Sequence, residues 1–546
     1  MKKLPIGVQD FQRIIQGDFV YVDKTDLIYD LVTEGLSYFL SRPRRFGKSL
    51  LLQTIESLFT APVDPDNPKG LFADLKIGQK KWDFTQKLPT LNLDMAIKSD
   101  SPQSLEEALQ NTFRARAKLE NKGVAAEEQI TFNYGDSGGM LADLIEGLAR
   151  KYDAQVVLLI DEYDAPVSDH IGDLDLAKAN QDVLKSFYSR LKPCEDYLKF
   201  TLVTGVTRYA FMGLSAGLNH LEDLTFDKKY AAICGFTYDE LDSLFSERMA
   251  LVLPEIIDKG FLPPNSTVEN LWEKILKWYD GYTWDGKTKV LNPWSILNFF
   301  KKASFEKYWV SSYPSSSFIF QINKKDPFEL LKTRFGSYTQ DALGLAEVGG
   351  LKPIPALFQT GYLTVDKIVA GSLSLKVPNM EIELNNYNTF ADSMFHLLGQ
   401  TQENVKNDFK EAILASNADK LTEIFNSLYG GLASIHHQDT ESFYNSVLYG
   451  YCHLLADTCS EPPGSIGTPD LVLLFPYDQM IAIIELKYES KAPESDEKLA
   501  AKLEKLANDA LKAIDEKKYN QPYVSKTQKL VKIGLGVTYR GQCLAK

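Results

Sequence analysis

Between residues 21 and 230 four short apolar runs, at 36–40, 91–93, 156–160 and 200–203, alternate with stretches of helical spacing. Strands joined by helices run parallel, because each helix returns the chain to the starting end of the sheet, so the pattern predicts a parallel α/β domain. Such strands are buried on both faces, and ligands bind in the loops at their carboxyl ends. Three of the four runs lead into residues suited to that position.

Run 36–40 continues through Ser41-Arg42-Pro43-Arg44-Arg45-Phe46 to Gly47-Lys48-Ser49-Leu50 and a helical stretch. At a helix start the backbone N–H groups cradle phosphate oxygens, a lysine adds a point charge and a serine hydroxyl ligates Mg²⁺. Gly47, Lys48 and Ser49 fill the second half of the phosphate-loop pattern GxxxxGK[ST], and Arg45, Phe46 and Leu50 flank the same phosphates; Arg42 stands where the first glycine is usual. Run 156–160 ends in Asp161-Glu162, a pair in which the Asp supports Mg²⁺ and the Glu orients an attacking water. Run 200–203 ends at Thr204, whose hydroxyl either senses the terminal phosphate or merely closes the strand. The set predicts binding and hydrolysis of ATP or GTP. Arg42, Arg44 and Arg45 either neutralise phosphate charge, contact a neighbouring subunit of a homo-oligomer, or form a solvated basic loop.

A second constellation lies near the C-terminus, where Asp470 precedes one apolar strand, 471–475, and Glu485 and Lys487 sit in another, 481–486 and beyond. A turn centred on Tyr477 and Asp478 makes positions summing to 955 face each other, so Asp470 lies opposite Glu485, with Cβ atoms ~5 Å apart. Two carboxylates at that separation repel unless a divalent cation lies between them, and strand alternation puts Lys487 on the same face. Acids with a lysine suit phosphodiester hydrolysis, and oxygen ligands favour Mg²⁺ or Mn²⁺ over zinc. Glu441, on a helical run 441–456, is a further candidate ligand. The plain alternative makes Asp470 a turn residue and Glu485 with Lys487 an edge-strand charge pair.

The chain has 546 residues, enough for two to four domains. We read 1–232 as the phosphate-loop domain, 233–400 as a helical and mixed module, and 401–546 as a third α/β domain. In the middle module Leu241, Leu244, Phe245 and Met249 share one helical face and Trp272, Ile275, Leu276 and Tyr279 another; a strand-turn-strand is expected within 360–377. No run approaches the ~20 apolar residues of a membrane span, so a cytoplasmic protein without a membrane partner is expected. Five cysteines without a CxxC pair are expected reduced and mostly buried. A net charge of −13 disfavours diffuse nucleic-acid binding, so any such contact must be local.

Taken together, Ser41-Arg42-Pro43-Arg44-Arg45-Phe46-Gly47-Lys48-Ser49, Asp161-Glu162-Tyr163-Asp164, Thr204-Gly205-Val206-Thr207-Arg208, Cys234-Gly235-Phe236-Thr237, Trp278-Tyr279-Asp280-Gly281-Tyr282, Val377-Pro378-Asn379-Met380-Glu381, Pro469-Asp470 and Glu485-Leu486-Lys487 resemble a bacterial family of AAA-ATPase-like proteins with a C-terminal PD-(D/E)xK nuclease domain. The resemblance implies a P-loop NTPase domain, a helical middle module and a restriction-endonuclease-like α/β domain. It gives Lys48 and Ser49 the first phosphate-site roles, Asp161 and Glu162 the acidic ones, Asp470, Glu485 and Lys487 the nuclease signature with Glu441 upstream, and residues 21–25 a place beside the base. It implies ATP as cofactor, DNA as partner, and a role in defence or mobile-element biology. Three positions depart from the pattern: Thr468 where Arg is usual, Asn445 where His is usual, and Ala513 where Gln is frequent. A different class of function, a nucleotide-dependent switch that binds nucleic acid or protein without cutting, is compatible with the same residues, as is an inert, architectural P-loop.

Overall fold

In this computed structural model the described residues are 1–170, 172–208, 221–259, 261–312, 334–344, 353–386, 389, 402–432, 440–455, 458–460, 469–475, 480–490, 495–517, 519, 529–538 and 541–546. Thr468, the turn at 477–478 and most of the serine-rich stretch 311–317, expected as a loop, lie outside them. The chain forms two compact units, Met1–Ile319 with Arg334–Ile382, and Phe320–Thr333 with Glu383–Lys546.

The first unit is built on a five-stranded, wholly parallel sheet. Its strands are β1 (Ser37–Ser41), β2 (Thr90–Asp94), β3 (Val156–Asp161), β4 (Leu198–Gly205) and β5 (Glu222–Asp223), in the spatial order β2-β3-β4-β1-β5. All six residues of β3 are buried, as expected for a strand covered on both faces. Helices Pro102–Glu120, Ser137–Tyr152 and Leu174–Ser189 supply Leu109, Leu144 and Leu184 to one core cluster beneath the sheet. Register decides where the chemistry collects: Leu40 is level with Thr204, and Ile160 with Val203. The ends of β1, β3 and β4 therefore lie along one edge of the sheet.

Three helices follow, Tyr238–Asp258, Val268–Tyr279 and Pro293–Lys302. The first two begin with reciprocal caps, Thr237 with Glu240 and Thr267 with Asn270, and the third with Asn292 before Pro293. Leu241, Phe245 and Met249 are buried at four-residue spacing, but Leu244 is 41% exposed and off that stripe, which corrects the expected face. Trp272, Ile275 and Tyr279 are buried as expected, and Leu276 only partly. Strands β6 (Arg334–Tyr338), β7 (Thr364–Val369) and β8 (Ser372–Lys376) form an antiparallel sheet ordered β6-β8-β7. Ala370 and Gly371 close the β7–β8 hairpin at φ 49° and 82°, the two positive values that a twisted two-residue turn demands.

The second unit carries a mixed sheet, β13-β12-β11-β10-β9, of strands β9 (Thr458–Ser460), β10 (Leu471–Phe475), β11 (Met480–Glu489), β12 (Lys529–Thr538) and β13 (Cys543–Ala545). One face packs Ala482, Ile484 and Leu486 against helices Gln402–Leu414, Ala418–Leu432 and Glu441–Leu455. The other packs Ile481 and Ile483 against helix Asp496–Glu516 through Ile514. Among the described residues Cys194, Cys234, Cys452 and Cys543 are buried and form no disulfide, and no helix is long and apolar enough to cross a membrane.

Candidate functional sites

At the end of β1 the backbone takes two positive φ angles, 67° at Arg45 and 99° at Gly47, and helix Lys48–Thr60 begins without a side-chain cap. Its first N–H groups thus lack an intrahelical partner, the condition for anion binding. Phe46 anchors the loop, edge-on to Tyr282 and Trp284 at 4.9 and 5.7 Å between ring centroids. Lys48 is 5% exposed, and its ammonium donates to the carbonyls of Arg42 (2.9 Å) and Pro43 (3.1 Å). Burial pulls its pKa down, opposed by the charges of Asp161 and Glu162, so lysine and acids share one neighbourhood.

Thr204 donates its hydroxyl to Asp161 Oδ1 at 2.6 Å, and the Glu162 N–H donates to the same oxygen at 3.0 Å. Thr204 thus orients the acid directly. Glu162 sits at φ 49°, in the left-handed region, and burial pushes its carboxyl upward against the pull of Lys48 and Arg44. Behind it Asp164 is buried and accepts from the N–H groups of Val206 and Thr207 and from the Thr207 hydroxyl, locking the turn after β3 to the one after β4.

The three loop arginines have three different fates. Arg42 is fully buried, donates to the carbonyls of Ser41, Thr225 and Tyr230, and stacks on Trp284 at 4.0 Å; it is neither a phosphate ligand nor a solvated residue. Arg44 pairs with Asp169 at 2.7 Å, and Arg45 lies over Trp294 at 4.6 Å.

A cavity of about 350 Å³ opens from this loop. Arg45, Phe46, Gly47, Lys48, Ser49, Leu50 and Glu162 line it. Apolar side chains, among them Val8, Ile14, Val22 and Leu297, line it too, and a nucleotide site needs both kinds of surface. Lys24 borders it too, held at 2.6 Å by both oxygens of Glu240 from the helical module. Of the expected base-side segment 21–25, Tyr21, Val22 and Lys24 reach the cavity. Asp23 instead caps Thr25 and accepts from the Lys76 N–H.

In the second unit Leu471 pairs with Ile484 and Phe475 with Met480, the register in which positions sum to 955. Asp470 and Glu485 meet as expected: the Asp470 N–H donates to Glu485 Oε2 at 3.3 Å, and Asp470 Oδ2 accepts from the Leu486 N–H at 2.7 Å. Lys487 donates to Glu485 Oε1 at 3.0 Å. Glu485 is 3% exposed, so these side chains are no edge-strand ornament. Burial raises the Asp470 carboxyl to about 6, with the charges of Glu485 and Glu441 acting the same way. Asn445 donates to Asp470 Oδ1 at 3.1 Å and leaves its own buried Oδ1 without a partner. Glu441 begins its helix exposed to solvent. Among the described residues no three His, Cys, Asp or Glu side chains converge on one point. A cation held by two carboxylates, with waters and substrate completing its shell, is the arrangement Mg²⁺ prefers, and the orphaned Asn445 oxygen and the elevated Asp470 both fit a cation there.

Residues 5–215 match the family model described as a predicted AAA-ATPase, and residues 439–542 match the PD-(D/E)XK nuclease superfamily. The chain joins an AAA-ATPase-like domain to a PD-(D/E)XK nuclease superfamily domain. It is also 27% identical, over 98% of its length and 96% of the relative's, to a protein of Azotobacter chroococcum mcd 1 described as an uncharacterized protein in the vnfD 5′ region. No solved structure matches.

Within the ATPase-like domain, sequence reasoning missed the work of Arg42, Asp164 and the Lys24–Glu240 pair. In the nuclease-superfamily domain it missed Lys517, whose ammonium stands 3.9 Å from Glu485 Oε1. Arg42, Asp164 and Lys24 lie in segments the sequence singles out without showing these roles, and Lys517 stands one helical turn beyond Ala513.

Proposed function

We propose that the chain is an ATP-dependent nuclease: Mg-ATP binds and is hydrolysed in the N-terminal cavity, and the C-terminal domain cleaves a nucleic-acid phosphodiester, DNA foremost. The observation that carries this reading is the meeting of Asp470, Glu485 and Lys487, two acids and a cation gathered around the buried Glu485 in a nuclease-superfamily domain. Asp470 and Glu485 would hold a divalent cation, which would supply Lewis acidity at the phosphate and a more acidic water. Asn445 and the Leu486 N–H hold Asp470 in place, and Lys487, tied to Glu485, offers charge to the developing phosphorane. In the cavity, Lys48 and the start of its helix would hold the phosphates and Ser49 the Mg²⁺, with Asp161, next to Glu162 but not itself on the cavity wall, as the supporting acid. Glu162 would orient the attacking water, and Thr204 holds Asp161 in line. Defence against foreign DNA fits this pairing of activities.

The test is a nicking assay on single-stranded DNA, duplex DNA and RNA, with ATP and either Mg²⁺ or Mn²⁺, comparing the full chain with Asp470→Ala, Glu485→Ala and Lys487→Ala. Cleavage by the wild type alone supports the proposal. A wild type that binds nucleotide and nucleic acid yet never cuts supports the non-cutting switch, a reading favoured by Asn445 standing where His is usual.

A further inference from the structure

We propose that Lys517 is a second phosphate-contacting cation of the C-terminal site, gripping the nucleic-acid backbone beside Lys487; this rests on the nuclease reading above. Lys517 caps the C-terminal end of helix Asp496–Glu516. That helix lies close to β12, because Gly534 and Gly536 have no Cβ where the carbonyls of Ala507 and Leu503 approach. Gly534 pairs in register with Glu485 and Gly536 with Lys487, so the helix covers the sheet face that bears those two side chains. Its end delivers Lys517 Nζ to 3.9 Å from Glu485 Oε1, the oxygen that already accepts from Lys487 at 3.0 Å.

Two features make Lys517 more than a partner for Glu485. First, 3.9 Å is beyond hydrogen-bond reach, so its ammonium stands beside the buried carboxylate without being committed to it. Second, Glu485 Oε1 already accepts from Lys487, so Lys517 is not needed to pair that oxygen. Its side chain reaches solvent: it is 47% exposed, against 4% for Glu485. The helix C-terminus favours a cation at this position, and the Tyr519 ring, 5.3 Å from the ammonium, restricts where it can swing. Ala513, one turn earlier, offers no polar group to the same site. A phosphate drawn to Asp470 and Glu485 by a divalent cation would find its remaining oxygen negative and Lys517 in reach.

The test is fluorescence anisotropy of the full chain with a fluorescein-labelled DNA oligonucleotide, single-stranded and duplex, across a KCl series. Ca²⁺ replaces Mg²⁺, and probe integrity is checked on a gel. Lys517→Met is expected to weaken binding and to lower the slope of log affinity against log salt by about 0.7–0.9, the share of one released phosphate counterion, while Lys517→Arg keeps the slope. A purely structural lysine would not move that slope. Wild-type slope and affinity in Lys517→Met overturn the inference and leave the nuclease reading standing. A wild type that binds neither probe overturns both.

Discussion

The Lys48 ammonium donates to the Arg42 carbonyl at 2.9 Å, so the phosphate loop is closed by its own lysine. A nucleotide must exchange two neutral carbonyls for anionic phosphate oxygens, and charge-assisted bonds favour that exchange. Lys48→Ala is expected to lower Mg-ATP affinity by about 10–100-fold, the value of one hydrogen bond to a charged group. Titration calorimetry decides it; equal affinity would remove Lys48 from the site.

Thr204→Val keeps the shape of the strand end and deletes the 2.6 Å bond to Asp161. Asp161 would then keep its charge and the Glu162 N–H but lose the tie that fixes it to β4. ATP turnover should fall by about 10-fold or more with nucleotide affinity changed far less. A parallel loss of both would make Thr204 a binding residue instead.

Arg42 belongs to the architecture. Its guanidinium joins three backbone carbonyls and stacks on Trp284, and burial lowers it only to about 10, so it stays charged. Arg42→Met should destabilise the ATPase-like domain by about 3 kcal/mol or more, because three buried acceptors lose their donor. Arg42→Lys should recover little, since an ammonium cannot reproduce the planar fork. Urea unfolding measures both, and a Met variant as stable as wild type would refute the role.

Glu381 predicts a pH effect. It is fully buried, accepts from the Trp309 N–H at 2.6 Å and the Ser295 hydroxyl at 2.8 Å, and burial raises it to about 7. A folded-state value above the unfolded one means its contribution to stability is complete below the ordinary glutamate value and is lost as pH rises through about 7. The wild type should therefore lose up to about 3 kcal/mol between about pH 5 and pH 8 relative to Glu381→Gln. Unfolding midpoints at the two pH values test this; parallel profiles would sink it. Because Trp309 Nε1 also donates to the Arg44 carbonyl at 2.9 Å, nucleotide affinity should weaken over the same range in the wild type alone.

Much of this was legible locally. The strands β1, β3 and β4 start or end within two residues of the runs read from sequence, because an apolar run bounded by polar residues can satisfy only a buried strand. The meeting of Asp470 and Glu485 followed from alternation and a symmetric turn, arithmetic that needs no knowledge of the rest of the fold. Leu244 misled because a helical stripe is wider in sequence than the face one neighbour covers.

What sequence alone determined was therefore everything set by neighbours along the chain: the phosphate loop before its helix, the acids after β3, and the pairing of β10 with β11. Tertiary structure decided which cation does what. Arg42, Arg44 and Arg45 look alike in a row, yet one is a core residue, one a surface pair and one a cavity wall. Lys24 meets Glu240 across 216 positions, and Lys517 reaches Glu485 only because two glycines let a helix settle on β12. Such contacts depend on how distant elements pack, and the packing surface is a property of the whole fold, not of any window of residues.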